Sequence, residues 1–140
     1  MSRRILLIVF VIAAAVNLWG CGWLSEAPKV VWGSSTKALE EARAEAVQGT
    51  FLCSSNECFN EVLNIAGEEE YVLFIVNKLR HHIVLMGIPG SVGTTEVGVF
   101  FEPQNDKETR IDISSLSSNA KRNLSNALFS KLEEKFVKLK

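Results

Sequence analysis

The sequence predicts an α+β domain, a two-layer sandwich in which a mostly antiparallel sheet of 4-5 strands carries two main helices on one face. Apolar residues recur at helical spacing in two capped segments, residues 55–66 and 119–136. Four short segments between them are rich in β-branched and aromatic residues and are separated by turn residues. In the last of these, Ile111 and Ile113 alternate with polar residues, which is typical of an antiparallel sheet with one face open to water.

The first element is predicted to be a helix over Thr36–Val47. Its apolar side is narrow, because only Leu39, Ala42 and Ala46 recur at helical spacing. We therefore expect this helix to pack weakly. A short strand over Gln48–Leu52 is predicted to follow it.

The second helix has a clear start in the sequence. Ser54 and Glu57, three residues apart, form a capping box, which predicts a helix over Ser55–Ala66. Gly67 is a natural end for this helix, because glycine adopts a positive φ without strain. The predicted buried side consists of Phe59, Val62, Leu63 and Ala66.

Four strands are predicted next. The first is almost wholly apolar, so we expect it to lie in the middle of the sheet. A glycine-rich segment predicts a loop between the second and third strands, and Pro103–Lys107 predicts a turn between the third and fourth. The predicted strands are Tyr71–Val76, His82–Ile88, Thr95–Phe101 and Glu108–Ser114.

The last element is a long helix over Asn119–Phe136, capped by Ser117 or Ser118. Leucines and a phenylalanine repeat every four residues along it, and further apolar residues flank that row. This stripe is wide enough to cover a sheet. Its central members are Leu124, Leu128, Leu132 and Phe136.

The N-terminal segment has the pattern of a secretory signal. Arg3 and Arg4 precede an uncharged run, Ile5–Val16, that is shorter than the roughly 20 residues of a bilayer span. The alternative is an uncleaved signal anchor, which would need a longer apolar run and would leave Cys21 without a role.

Leu18, Gly20 and Cys21 resemble the lipobox of bacterial lipoproteins. The resemblance implies that the chain is cut before Cys21 and that this thiol carries the lipid. Family sorting rules keep proteins with Asp at the next position in the inner membrane, so Gly22 implies the outer membrane. Residues 1–20 are thus predicted to be a lipoprotein signal peptide.

Residues 21–35 are predicted to be a lipid-anchored tether and residues 36–140 a single α+β domain. Trp23 and Trp32 in the tether could lie at the headgroup level or pack on the domain.

Processing removes two arginines and no acids, so the formal net charge changes from −1 to −3. This charge argues against nucleic acid as a partner, since nucleic-acid binding calls for a basic face.

Cys53 and Cys58 are predicted to form a disulfide. They occupy the positions before and inside the helix start that a hydrophobic staple joins, and an exported compartment permits oxidation. A redox pair would normally have two residues between its cysteines, whereas here there are four. A metal site would need more ligands, and the adjacent His81 and His82 point to opposite faces of a strand. No metal or cofactor is therefore predicted.

No catalytic residues are predicted either. The loop holding Gly87, Gly90 and Gly93 leads into a strand, whereas phosphate loops lead into a helix. The hydroxyl-rich run Ser114–Ser118 has no His-Asp pair to activate it, and helix capping accounts for it. We expect a protein that is not an enzyme.

Several segments resemble a group of small bacterial lipoproteins of unknown function, which supply no activity to transfer. We expect a lipid-anchored cell-envelope protein, on the periplasmic face of the outer membrane, that binds or scaffolds an envelope protein. Its contact surface would be the second sheet face or the basic hairpin Lys78–His82. The alternative is a periplasmic module that binds a small ligand or lipid beneath the final helix. The segments that carry the resemblance are Thr50–Cys53 with Glu57–Phe59, His82–Gly87, Thr94–Phe101 and Ile113–Ser117.

Overall fold

Three helices and six strands make up the part of the chain that the computed structural model describes, residues 35–140. Residues Thr36–Lys140 form one compact unit. The signal peptide, Cys21 and the tether as far as residue 34 lie outside the described residues. Within residues 35–140, no helix combines the length and apolarity needed to cross a bilayer.

The elements alternate between helices and strands at both ends of the chain, with four strands in succession between them. In chain order they are α1 (residues 35–41, continuing as a 3₁₀ turn over Ala42–Glu45), β1 (Val47–Phe51), α2 (Ser55–Glu68), β2 (Val72–Asn77), β3 (His82–Met86), β4 (Val97–Asn105), β5 (Glu108–Ser114), α3 (Ser118–Lys135) and β6 (Lys138–Leu139).

The strands form one sheet in the order β2-β3-β4-β5-β1-β6, with every neighbouring pair antiparallel. The predicted α+β class with an antiparallel sheet is therefore confirmed. The sheet has six strands rather than four or five. The additional strand is β6, in which Lys138 and Leu139 pair with Phe51 and Thr50. Two residues after a helix carry no periodicity, which is why the sequence does not reveal this strand.

The apolar segment Tyr71–Val76 was predicted to lie centrally, and this prediction is wrong. Its strand, β2, lies at the edge of the sheet that residues 35–140 form, and within that range it pairs only with β3. An unbroken apolar run indicates contact on both faces, but that contact can be partial at an edge. Here Phe74 and Ile75 pack against a small cluster on one face, while other side chains of the strand stay half exposed.

The main core lies between the sheet and the two longer helices, as predicted. The capping box at Ser54 and Glu57 forms, and Ser117 caps α3. Aromatic pairs join helices to strands, with ring centroids 5.5 Å apart for Phe51 and Phe129. The fully buried stripe of α3 consists of Leu124, Leu128 and Leu132.

The opposite face of the sheet was expected to be open to water, but α1 covers part of it. Leu39 is buried and packs with Val84 and Phe100. The Ser114 hydroxyl donates a hydrogen bond of 2.8 Å to the Leu39 carbonyl. Among residues 35–45 only Leu39 is buried, which agrees with the narrow apolar side and the weak packing expected of this helix, and polar contacts add to its attachment.

Some element ends differ from prediction. Gly67 lies inside α2, and the positive φ that follows the helix belongs to Glu70. Strand β4 continues through Pro103 as far as Asn105, so the turn is shorter than the predicted Pro103–Lys107. Pairing of Pro103 with Thr109 across the hairpin extends the strand past the proline.

Candidate functional site

Exposed apolar side chains are concentrated on the edge strand β2. Val72, Leu73 and Val76 have 51%, 46% and 48% of their surface exposed, and we call these three residues the β2 edge. Of the other large exposed apolar residues in the described chain, Leu52 and Val137 are joined by a backbone hydrogen bond of 2.8 Å, whereas Val92 and Leu116 lie apart in the sequence. Exposed apolar side chains on an edge strand are typical of a binding surface.

The β2 edge offers backbone groups as well as apolar surface. Among residues 35–140, β2 pairs only with β3, so its other side has no strand partner within that range. Leu73 and Val76 lie opposite Leu85 and Ile83, whose side chains belong to the main core. Val72 lies on the other face, so the apolar surface covers both sides of the strand. A register shift between Leu73 and Ile75 divides the strand into two short segments.

The hairpin between β2 and β3 carries a second feature, the hairpin tip, which we define as Lys78–Arg80. Leu79 at its centre has 95% of its surface exposed. The turn is fixed by a hydrogen bond of 3.0 Å from the Arg80 amide to Asn77 Oδ1. His81 closes it with a φ of 49°, in the left-handed region.

His81 also ties the hairpin tip to neighbouring elements. Its carbonyl accepts a hydrogen bond of 2.9 Å from the Phe101 amide of β4. Its Nδ1 lies 2.9 Å from the Ser55 hydroxyl, at the start of α2. The sequence does not predict this contact, because 26 positions separate the two residues and no motif links them. The tip is thus held to both β4 and α2.

Asp112 forms a polar cluster on the face covered by α1. Its side chain is only 2% exposed, and it accepts bonds of 2.7 Å from Arg43 and 2.8 Å from Arg110. Arg43 also binds Glu102 at 2.7 Å and lies 4.7 Å from the centre of the Phe100 ring. These contacts join the 3₁₀ turn after α1 to β4 and β5. Asp112 was expected on a wet face, so the sequence does not predict the cluster.

The two arginines of this cluster are held in their charged form. Burial lowers the pKa of Arg43, but its bonds to Asp112 and Glu102 outweigh that effect, and the net result is a raised pKa. The bond to Asp112 is the main cause of the raised pKa of Arg110. The cluster therefore acts as a charged attachment for α1.

His82 is buried against Phe100, with ring centroids 5.7 Å apart. Burial is the largest cause of the lowered pKa of His82. Between that pKa and the ordinary value of about 6.5, His82 binds a proton in the unfolded chain but not in the folded protein, so the free energy of unfolding falls as the pH falls.

We expect urea denaturation to show a larger loss of stability between pH 7.5 and 5.5 for the wild type than for His82→Gln. Equal losses would contradict this prediction.

The predicted disulfide partners lie together. Cys53 and Cys58 are both buried, and their sulfurs are at disulfide distance with Cα atoms 5.8 Å apart. They join the end of β1 to the first turn of α2, as the predicted positions require. The Thr109 hydroxyl donates a hydrogen bond of 2.9 Å to the Cys53 carbonyl and fixes the same corner to β5. The oxidised bond itself stays a prediction.

A groove of about 360 Å³ lies between β1 and α3. It adjoins the part of β1 that β6 does not pair with, since β6 reaches only Thr50 and Phe51. Lys138 lies at this groove, 2.7 Å from the Glu133 carboxylate and 5.1 Å from the centre of the Phe129 ring.

Neither the protein-family models nor the curated proteins compared with this chain match it. Any functional interpretation therefore depends on the residues and their arrangement. Within residues 35–140, no three or more His, Cys, Asp or Glu side chains are grouped so that they could hold a metal ion. In the same range, the β2 edge and the hairpin tip together hold four of the eight large apolar side chains that are exposed.

Proposed function

We propose that this chain is a lipid-anchored protein of the bacterial cell envelope, attached through Cys21, which binds another envelope protein through the β2 edge. In this proposal the protein is a binding module and not an enzyme. The observation that carries the proposed contact is the half-exposed apolar side chains on a strand whose outer side has no strand partner within residues 35–140. Anchoring would keep the protein at the membrane and so raise its effective concentration for a partner there.

Strand addition is the mode of binding that suits this surface. An extended segment of the partner would pair with the outer side of β2, and main-chain hydrogen bonds would supply affinity. Val72 would contact the segment on one face of the sheet, and Leu73 and Val76 on the other. Gly22 supports a position at the outer membrane, facing the periplasm.

The β2 edge is a better contact surface than the second sheet face, which is one of the two surfaces expected from the sequence beside the basic hairpin Lys78–His82. Val84 and Phe100 on that face are buried beneath Leu39 of α1. Asp112 and Ser114 are buried there as well. A partner would have to displace α1 to reach them, whereas the β2 edge is already open.

Affinity capture from intact membranes tests the proposal. We expect Val76→Lys to lose the captured envelope protein, because a lysine on an edge strand opposes pairing. Val92→Lys is the matched control, since Val92 is also an exposed valine but lies in a loop, and it should retain the partner. Cys21→Ser should release the protein from the membrane and reduce the yield. Capture of the same partner at the same yield by Val76→Lys would contradict the proposed contact.

The groove between β1 and α3 favours a second candidate, a module that binds a small ligand or lipid. Its volume of about 360 Å³ lies near the lower end of ordinary ligand sites. The ligand was expected beneath the final helix, but Leu124, Leu128 and Leu132 are fully buried in the core there. The groove lies beside α3 instead. A native mass spectrum of the purified protein that contains a bound small molecule would favour this candidate.

A further inference from the structure

The hairpin tip combines an exposed apolar side chain with two cations. Leu79 is almost fully exposed, and Lys78 and Arg80 flank it directly. Within the described part of the chain, neither cation forms a salt bridge, although other lysines and arginines do, such as Arg43 and Lys131. Their charge is thus available to an external partner.

We propose that the hairpin tip is a second membrane contact, in which Leu79 enters the headgroup region and Lys78 and Arg80 bind anionic lipid phosphates. This inference rests on the proposed lipid anchor, which would hold the domain at the membrane. Positive residues near a membrane are attracted by the negative surface potential of anionic lipids. Apolar side chains near the headgroup boundary add to this attraction.

The size of the tip favours a lipid surface over a protein. A stable protein interface buries about 800 Å² on each partner, far more than a turn of three residues presents. Contact with a bilayer requires only a small apolar group with cations beside it. The β2 edge, which belongs to a strand with no outer strand partner among the described residues, is the surface better suited to a protein.

The contacts of His81 hold the hairpin tip in one position relative to the sheet and α2. The Phe101 amide holds the carbonyl of His81, and the Ser55 hydroxyl holds its ring. The tip is therefore positioned before it meets a membrane, which lowers the ordering cost of contact.

The proposed tether is long enough to permit this orientation. The 14 Cα–Cα steps from Cys21 to Ser35 can span at most about 50 Å. A domain of this size has a radius of gyration of about 13 Å. An anchor at Cys21 therefore does not prevent the hairpin tip from facing the bilayer.

Membrane contact at the tip is compatible with a partner at the β2 edge. Leu73 precedes Asn77, the last residue of β2, by four positions, which corresponds to about 13 Å along an extended strand. With Leu79 in the headgroup region, Val72 and Leu73 would remain above the membrane surface. The membrane contact at the hairpin tip and the protein contact at the β2 edge would then hold the partner at a fixed distance from the membrane surface.

A fluorophore attached at Leu79→Cys tests the inference in the lipid-anchored protein purified from membranes. The matched control is Leu116→Cys, since Leu116 is 80% exposed, has serine neighbours and lies at the opposite end of the sheet. Cys53 and Cys58 are buried and should not react with the label. Each protein is reconstituted into phosphatidylcholine vesicles with or without phosphatidylglycerol, and flotation and fluorophore emission are measured.

We expect the Leu79→Cys fluorophore to shift its emission to the blue in vesicles that contain phosphatidylglycerol, while the Leu116→Cys fluorophore does not. Adding Lys78→Gln and Arg80→Gln should weaken the contact about fivefold for each cation removed. If the protein floats with the vesicles but the emission of the Leu79→Cys fluorophore does not shift, the tip contact is overturned and the anchor is not. A shift that appears only when envelope proteins are added also overturns it, in favour of a protein contact. Protein that does not float overturns the anchor and the tip contact together.

Discussion

Replacing Leu128 by alanine is expected to lower the free energy of unfolding by about 3 kcal/mol. Leu128 is fully buried at the centre of the α3 stripe, between Leu124 and Leu132. Removing its side chain takes apolar surface out of the core and leaves a cavity that the packed neighbours fill only in part. Urea denaturation of the wild type and the variant measures the difference.

Leu116→Ala is the matched control for this prediction. Leu116 is also a leucine near α3, but it is mostly exposed, so its replacement should change stability by no more than about 0.5 kcal/mol. Equal losses for Leu116→Ala and Leu128→Ala would mean that the α3 stripe does not cover the sheet. A loss for Leu128→Ala below about 1 kcal/mol would also contradict the packing described.

Replacing Asp112 by alanine is expected to cost about 2 to 3 kcal/mol. The buried carboxylate lies between Arg43 and Arg110, and its loss removes the partner of Arg110 and leaves Arg43 with Glu102 alone. Breaking a fully buried pair costs more, about 3 to 5 kcal/mol. Here Arg43 and Arg110 retain 26% and 36% exposure, so water stabilises them in part. Urea denaturation at neutral pH checks the value.

A double-mutant cycle distinguishes this charged contact from a simple loss of packing. Asp112→Ala and Arg43→Ala should together cost less than the sum of their separate effects, by about 1 kcal/mol. Arg110 remains beside Asp112 in the Arg43→Ala protein, so part of the cost persists there. Additivity of the two substitutions within about 0.3 kcal/mol would contradict the proposed attachment of α1.

Local signals in the sequence predict the parts of the fold that depend on neighbouring residues. The capping box at Ser54 and Glu57 predicts where α2 begins, and the leucine repeat predicts the buried side of α3. The staple positions of Cys53 and Cys58 predict that their sulfurs lie close together. Each of these features involves residues within one or two helical turns, so spacing alone defines it.

The remaining features depend on contacts between distant parts of the chain. An apolar run such as that of β2 has the same appearance at the centre and at the edge of a sheet, and its exposure depends on strand order. Asp112 is buried because α1, some 70 positions earlier, lies over it. The basic hairpin could be recognised as a candidate contact from Lys78 and Arg80, but the β2 edge and the contact of His81 with Ser55 could not.

The position of α1 has a mechanical consequence for a protein held at a membrane. Because α1 is the first element after the proposed tether, tension on the tether would act on α1 before any strand. That load would be carried by Leu39 against Phe100, by the Ser114 hydroxyl and by the bonds between Arg43 and Asp112. The core between the sheet and the two longer helices lies on the opposite face. The α1 attachment would therefore yield first under force and leave that core folded.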